Sequence, residues 1–411
     1  MFYVFLGSIF QMKIQNIYQR LLKNTKSQKY RYLYYSFNTD NRLTGLIGAR
    51  GTGKTTMLLQ YIKNNIQNTF DAIYVSVDNI YFSRITIFDF VEEYYENEDV
   101  KYFFFDEIHK YKNWNQELKN IYDSFPDVYI VFSGSSSLDL LRGGYDLSRR
   151  AVLYHLNGMS FREYLEFKYN EELPMLSFNE ILIQQSDNIE KISSIKKIKK
   201  KFKEYLMQGY YPFLFENETV YHEKLMNMLN KTIYEDISNF YNLKTENLHN
   251  FKIILSYLAT SEPGELSINS IAKNIKLDNK TVSNYLKIME EVNLVAKISE
   301  NKSGSAILKQ KEKIYLANPN LYTAINEDMG FDYKIGTLRE LFFINMFKNS
   351  GKNIYYSKRG DFEAENNIFE IGGKGKTKKQ IRGIENSYIV KDDILYGSKK
   401  VIPLFLFGFM Y

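Results

Sequence analysis

The sequence predicts an α/β protein: a mainly parallel sheet covered by helices on both faces, then a helical region, then a smaller α/β end. Three observations predict it. Short apolar runs at 43–47, 72–77, 102–105, 128–132 and 151–156 alternate with amphipathic segments of helical period. The turn after the first run is rich in glycine and opens a helix. The alternation stops near residue 160 and returns in mixed form after 317.

Composition narrows the chemistry. A chain of 411 residues predicts two to three domains, each able to bury a core. A hydrophobic share of 44% with 25% charged residues excludes disorder, collagen and coiled coil for the whole chain. With no Cys there are no disulfides, iron–sulfur clusters, cysteine nucleophiles or Cys-type zinc sites, and 4 His leave little for a histidine metal cluster. Lys+Arg 54 against Asp+Glu 48 gives a net charge of +6. The chain is also rich in Tyr, Phe, Asn and Ile, as an AT-rich genome would make it, so lysine number alone argues little for nucleic acid. No stretch reaches the ~18–20 apolar residues that span a bilayer, so a soluble cytoplasmic protein is expected.

In chain order, residues 1–11 read as a small packed strand or an artefact of the start site, since Met12 opens the amphipathic stretch 13–22. Residues 13–40 read as a helix and a polar connection. An α/β core fills 13–160, and a mostly helical extension fills 161–245. That extension contains seven lysines between 191 and 203, read as a solvated face. In 246–316, a helix at 248–259 precedes a helix at 268–275 capped by Ser267, then a helix at 279–290. Runs at 294–298 and 313–316 are expected to pair as a β-wing. The end, 317–411, has a helix at 336–349 and strand-like runs at 353–357, 368–371 and 401–407.

The chemistry begins at Gly48-Ala49-Arg50-Gly51-Thr52-Gly53-Lys54-Thr55, a full match to G-x-x-x-x-G-K-[ST] between a strand and a helix. Such glycines let backbone N–H groups curl around phosphate oxygens, and the helix N-terminus adds partial positive charge. Lys54 is expected on the β- and γ-phosphates and Thr55 on Mg²⁺, with Thr56 completing the ATP-binding stretch.

A P-loop needs a second element. Tyr-Phe-Phe-Phe, 102–105, reads as a buried strand ending in Asp106, for the Mg²⁺ shell, and Glu107, to polarise the attacking water. The intervening run at 72–77 means that the two motif strands need not be adjacent, the arrangement of ATPases with a catalytic glutamate. The run at 128–132 ends in Ser133, the candidate to sense the γ-phosphate, with Ser135 and Ser136 as rivals. Arg149 and Arg150 are candidates for an arginine finger reaching a neighbouring subunit of a homo-oligomer.

These residues resemble a large prokaryotic group of AAA+-type ATPases whose P-loop domain precedes a winged helix and a restriction-endonuclease-like C-terminal domain of unknown function. The similarity is carried by 48–55, by Asp106-Glu-Ile-His109 with Trp114 and Leu118, and by Ser133-Gly-Ser-Ser136 and Leu147-Ser-Arg-Arg150. It continues in Leu156-Asn-Gly-Met-Ser160-Phe-Arg-Glu-Tyr164, Gly209-Tyr-Tyr-Pro212 and Phe369-Glu-Ile-Gly-Gly-Lys374. The resemblance implies ATP and Mg²⁺ at the first domain and names no substrate. Where the family often shows Gly-Arg, this chain has Ser148-Arg149-Arg150.

Within the region read as a winged helix, Lys280, Asn284 and Lys287 share a face of the 279–290 helix and are candidate duplex DNA contacts. The wing would add Lys297, Lys302, Lys309, Lys311 and Lys313. At the C-terminus, Glu340, Asp361 and Glu370 are the acids a nuclease of the PD-(D/E)xK type would use on Mg²⁺. The lysine expected at 372 is Gly, so Lys374 is the candidate on strand parity, with Lys376 further along. A degenerate, binding-only fold is expected there. The leading functional expectation is an Mg²⁺-dependent ATPase coupling nucleotide state to a DNA- or protein-binding module. Its alternatives are a nucleotide-gated DNA-binding regulator with little turnover, and an ATP-dependent nuclease against foreign DNA.

Overall fold

A computed structural model describes residues 2–134, 147, 149–241, 243–262, 267–305, 312–377 and 379–411. Ser135, Ser136, Ser148, Lys309 and Lys311 lie outside the described residues. The chain divides into two compact units, Met1–Asn157 and Gly158–Tyr411. The divisions expected at 245 and 316 therefore fall inside one compact unit.

The first unit is built on five parallel strands: β1 (Leu43–Ile47), β2 (Ala72–Ser76), β3 (Tyr102–Asp106), β4 (Tyr129–Gly134) and β5 (Val152–His155). Their order is β2-β3-β4-β1-β5. β4 thus separates the strand before the phosphate loop from the strand that ends in Asp106. Every residue of β1 is buried, and Phe103, Phe104, Phe105 and Phe132 are fully buried, because helices cover both faces. Those helices are Lys54–Asn65, Ile87–Glu98 and Trp114–Ser124. The second is fixed at its start by a capping box between Thr86 and Asp89. A further helix, Phe2–Asn24, runs through residues 2–11, so that stretch is helical and not a strand. Continuity with the amphipathic stretch behind it extends the helix.

The second unit starts with helices Phe161–Tyr169, Phe178–Ile183, Asp187–Ser193 and Ile198–Met207. Ser160 caps the first in a capping box with Glu163, both side chains fully buried, which gives the motif around residue 160 a structural reason. The motif at 209–212 has one too. Asn320 Oδ1 accepts from the amides of Gly209 and Tyr210, both at 2.8 Å, and from the Tyr221 hydroxyl at 2.5 Å. Its Nδ2 donates to the carbonyls of Tyr205 and Leu206. A buried amide satisfied on both ends fixes one packing of these helices.

Helices Thr245–Thr260, Ile268–Ile275 and Asn279–Glu291 follow, then an antiparallel hairpin of β6 (Val295–Ser299) and β7 (Glu312–Leu316). Beyond helices Pro319–Asp328 and Ile335–Asn349 comes a mixed five-stranded sheet, β8 (Tyr355–Tyr356) to β12 (Val401–Pro403), in sequential order. β9 (Phe362–Ala364) and β11 (Ser387–Lys391) were not expected from the apolar runs, and β10 (Asn367–Gly372) covers the run at 368–371. The strand expected over 401–407 stops at Pro403, and Leu404–Phe409 form a buried 3-10 helix. The Gly408 backbone packs so closely on Phe161 that an added Cβ would lie 2.5 Å from its Cβ.

Candidate functional site

The phosphate loop takes its shape from three glycines, for different reasons. Gly51 (φ 82°) and Gly53 (φ 94°) adopt left-handed backbone, and Gly53 starts the helix Lys54–Asn65. Gly48 is required by space: a Cβ there would lie 2.2 Å from the Leu156 carbonyl oxygen. Thr52 Oγ1 donates to the Ala49 carbonyl at 2.9 Å. The Lys54 ammonium, nearly buried, donates to the carbonyls of Gly48 at 2.9 Å and Ala49 at 3.0 Å. This poises its charge over the loop where phosphate oxygens would compete for it. Ala49 and Arg50 are half-buried in the loop, and Thr55 and Thr56 are exposed at the helix start.

Asp106 gathers the rest. Its Oδ2 accepts from Thr55 Oγ1 at 2.5 Å and from the Tyr74 hydroxyl at 2.6 Å. Its Oδ1 accepts from Ser133 Oγ and, at 3.1 Å, from the Glu107 amide. That amide also donates to Ser133 Oγ at 3.1 Å. Ser133 is fully buried, and its hydroxyl is bonded to Asp106 and the Glu107 amide. Glu107 holds a left-handed φ of 54°, a conformation costing about 1–2 kcal/mol for a residue with a Cβ. The two bonds to its amide hold it there, and strain of this kind clusters at functional sites. Its Oε2 lies 3.2 Å from Nε2 of the buried His109.

The sequence missed two contributors. Burial, reinforced by the Asp106 charge, raises the Tyr74 hydroxyl far above its ordinary pKa, so it stays a proton donor to Asp106. The buried Arg31 guanidinium donates to the Thr52 carbonyl and to that of Asn157, the latter at 2.7 Å, tying down the loop from outside it. Tyr74 sits in an apolar run and Arg31 in a polar connection, and neither position carries a local pattern.

The two arginines separate. Arg150 Nη2 lies 3.2 Å from Asp123 Oδ1, and its guanidinium sits 5.7 Å from the Tyr122 ring centre, both on the helix Trp114–Ser124. Arg149 is exposed.

Elsewhere, Lys280, Asn284 and Lys287 are all exposed on the helix Asn279–Glu291, whose other face buries Val282, Tyr285, Leu286 and Met289. The hairpin lysines are partly engaged. Lys297 pairs with Glu290 at 3.6 Å, Lys302 with Glu300, and Lys313 sits 4.1 Å from the Tyr356 ring centre. In the C-terminal sheet Lys376, not Lys374, reaches the acid: its Nζ is 2.5 Å from Glu370 Oε1. The chain turns after β10 ends at Gly372, which cancels the strand parity that pointed to Lys374, an exposed residue. Burial, then the Asp361 charge, raises the Glu340 pKa, and its Oε2 accepts from the Tyr315 hydroxyl at 2.9 Å. Asp361 Oδ2 accepts from the Ile371 amide at 2.7 Å. Among the described residues no three His, Asp or Glu side chains converge on one metal position.

Residues 40–165 match the family model described as an AAA domain, and residues 199–331 match that of a domain of unknown function. Two uncharacterized proteins of Methanocaldococcus jannaschii are similar along most of the chain. One is 29% identical over 398 residues, covering 89% of this chain and 83% of its own. The other is 25% identical over 357 residues, covering 83% and 74%. Among solved structures, AMPPCP-bound DnaA from Aquifex aeolicus is 19% identical, covers 67% of this chain and 86% of its own, and has a TM-score of 0.27. The S. cerevisiae Hsp104–ADP complex is 13% identical, covers 68% and 39%, and has a TM-score of 0.28. Phosphate loop, parallel sheet and family match agree on a P-loop nucleotide-binding fold, similar to an AAA domain, in the first unit. Among the described residues no helix is long and apolar enough to cross a membrane.

Proposed function

We propose that the first unit hydrolyses ATP with Mg²⁺ and that the second converts nucleotide state into contact with duplex DNA. The observation that carries the reading is the meeting of Thr55 and Asp106 at 2.5 Å, at the mouth of a glycine-shaped phosphate loop. A hydroxyl and a carboxylate oxygen are the donor set a small hard cation takes from protein, with nucleotide phosphates supplying other ligands, so three converging acids are not needed. Thr55 and Asp106 would hold Mg²⁺, which offsets phosphate charge when bound. Lys54 and the amides of residues 48–56 bind and orient the phosphates. Glu107 accepts the proton of the attacking water, with its backbone set by Asp106 and Ser133. Of the two arginines, Arg149 is read as the finger for a neighbouring copy on its exposure near the end of the unit, while Arg150 is half-buried.

In the second unit we read the three helices and hairpin over 245–316 as a winged helix, with Lys280, Asn284 and Lys287 on its exposed face as the DNA contact. We read the C-terminal sheet as a degenerate, binding-only relative of the restriction-endonuclease fold. Lys376 pairs with Glu370, and that ion pair occupies the carboxylate a nuclease would give to its metal. Duplex DNA binding at several salt concentrations tests the coupling. Lys280→Ala with Lys287→Ala should weaken binding and reduce the salt slope by about 2, since each phosphate contact contributes about 0.9. Binding and slope unchanged in the double variant would remove DNA from the reading and leave a protein partner.

A further inference from the structure

The lysine-rich stretch 191–203 reads from sequence as a solvated face, yet the fold sets it beside a second basic segment. Lys203 Nζ is 3.0 Å from Asp393 Oδ1, and Lys199 Nζ donates to the Asp393 carbonyl at 3.1 Å. These bonds dock the helix Ile198–Met207 on the loop between β11 and β12. Lys191, Lys196, Lys197 and Lys200 are exposed on and just before the docked helix, and Lys399 is exposed on the loop that it docks against. On that loop Tyr396 is 68% exposed, a large share for an aromatic ring.

Beside Tyr396 a cavity of about 270 Å³ opens between the loop and the helix Asp187–Ser193, with Ile189, Leu395 and Leu406 among its walls. Its frame is fixed. Gln184 Nε2 donates to the carbonyls of Ser398 at 3.1 Å and Val401 at 3.0 Å, and Gly397 leaves no room for a Cβ, which would lie 2.1 Å from Gln184 Oε1. The acids on this side include Asp393, paired with Lys203, exposed Asp187 and Glu190, and Glu204 within 3.9 Å of Lys200, and lysines outnumber them.

We infer that this surface binds single-stranded nucleic acid: lysines follow the phosphates, Tyr396 stacks on a base, and the cavity takes a flat ring. The cavity falls just below the roughly 300–1,000 Å³ of pockets for whole drug-sized ligands, which suits one ring. A duplex keeps its bases stacked inside and offers Tyr396 no face. An acidic peptide uses the lysines but neither the ring nor the cavity. Backbone-tracking cations with an aromatic platform are how single strands are held without sequence preference. The inference does not rest on the ATPase reading or on the helix Asn279–Glu291.

Fluorescence anisotropy on the full chain tests it, with labelled oligo-dT and oligo-U of about 20 nucleotides, a matched duplex and a labelled poly-glutamate peptide. Tyr396→Ala should weaken single-strand binding about tenfold, while Tyr396→Phe keeps it. Lys196→Ala, Lys197→Ala and Lys399→Ala together should lower the salt slope by about 2, at about 0.7 per lost contact. All positions are exposed, and unfolding curves matching wild type verify folding. Three results would overturn the inference: no single-strand binding by wild type, unchanged binding in Tyr396→Ala and the triple variant, or tighter binding of the peptide.

Discussion

The Thr55 hydroxyl donates to Asp106 Oδ2 at 2.5 Å, joining the first turn after the phosphate loop to the end of a strand two places away in the sheet. The carboxylate that receives it is not left to find its own orientation. Tyr74 and Ser133 reach the same group from the two strands flanking β3. The position proposed for Mg²⁺ is therefore set by side chains from three strands and one helix.

Tyr74→Phe removes one donor to a buried carboxylate and little volume. A hydrogen bond to a charged group contributes about 1.5–3 kcal/mol, so chemical denaturation should show a loss of that order. Asp106 also gains rotational freedom, so half-saturation of nucleotide binding should need several-fold more Mg²⁺. Equal Mg²⁺ dependence in wild type and Tyr74→Phe would restrict Tyr74 to the core.

Arg149 and Arg150 should part company under substitution. Arg150→Ala breaks a partly exposed pair with Asp123, and stability should fall. Arg149→Ala should lower hydrolysis only at protein concentrations where copies associate. Hydrolysis measured across a dilution series distinguishes them, and an Arg149→Ala defect that persists in the monomer would exclude a finger in trans.

The C-terminal acids give a pH prediction. Burial and the nearby Asp361 charge raise the folded-state pKa of Glu340 above its ordinary value of 4.5. The folded form then holds more protons than the unfolded form in that window. Its contribution is complete below the ordinary value and is lost as pH rises through the raised one. Denaturant midpoints should fall over that window in wild type, and Glu340→Gln should flatten the fall. A parallel profile in the variant would mean that another group carries it.

Sequence made the phosphate loop, its helix and the Asp106–Glu107 pair legible because each is local: a strand, a turn and the residues that end it. The extra apolar run at 72–77 showed only that the two motif strands need not be adjacent; that β4 lies between them is a tertiary fact. What escaped is tertiary. Tyr74 belongs to an apolar run whose pattern says only that it is buried, and its hydroxyl matters because β2 lies beside β3. Ser133 sits at the strand end that the sequence marks, and its bonds to Asp106 and the Glu107 amide need the neighbouring strand β3, which no local pattern shows. Lys374 was chosen by extending strand parity past Gly372, where the chain turns and brings Lys376 to Glu370. Apolar runs also cannot tell a strand from a tight helix, and Leu404–Phe409, apolar throughout, form the helix.

The central claim is that Glu107 activates water for a nucleotide held by Lys54, Thr55 and Asp106. Parallel measurement of ATP affinity and single-turnover hydrolysis, in Mg²⁺, on wild type and Glu107→Gln tests it most directly. The account predicts ATP affinity within a few-fold of wild type and hydrolysis slower by about 10²–10⁴, the contribution of a positioned general base. Hydrolysis at the wild-type rate in Glu107→Gln, with ATP still bound, would contradict it.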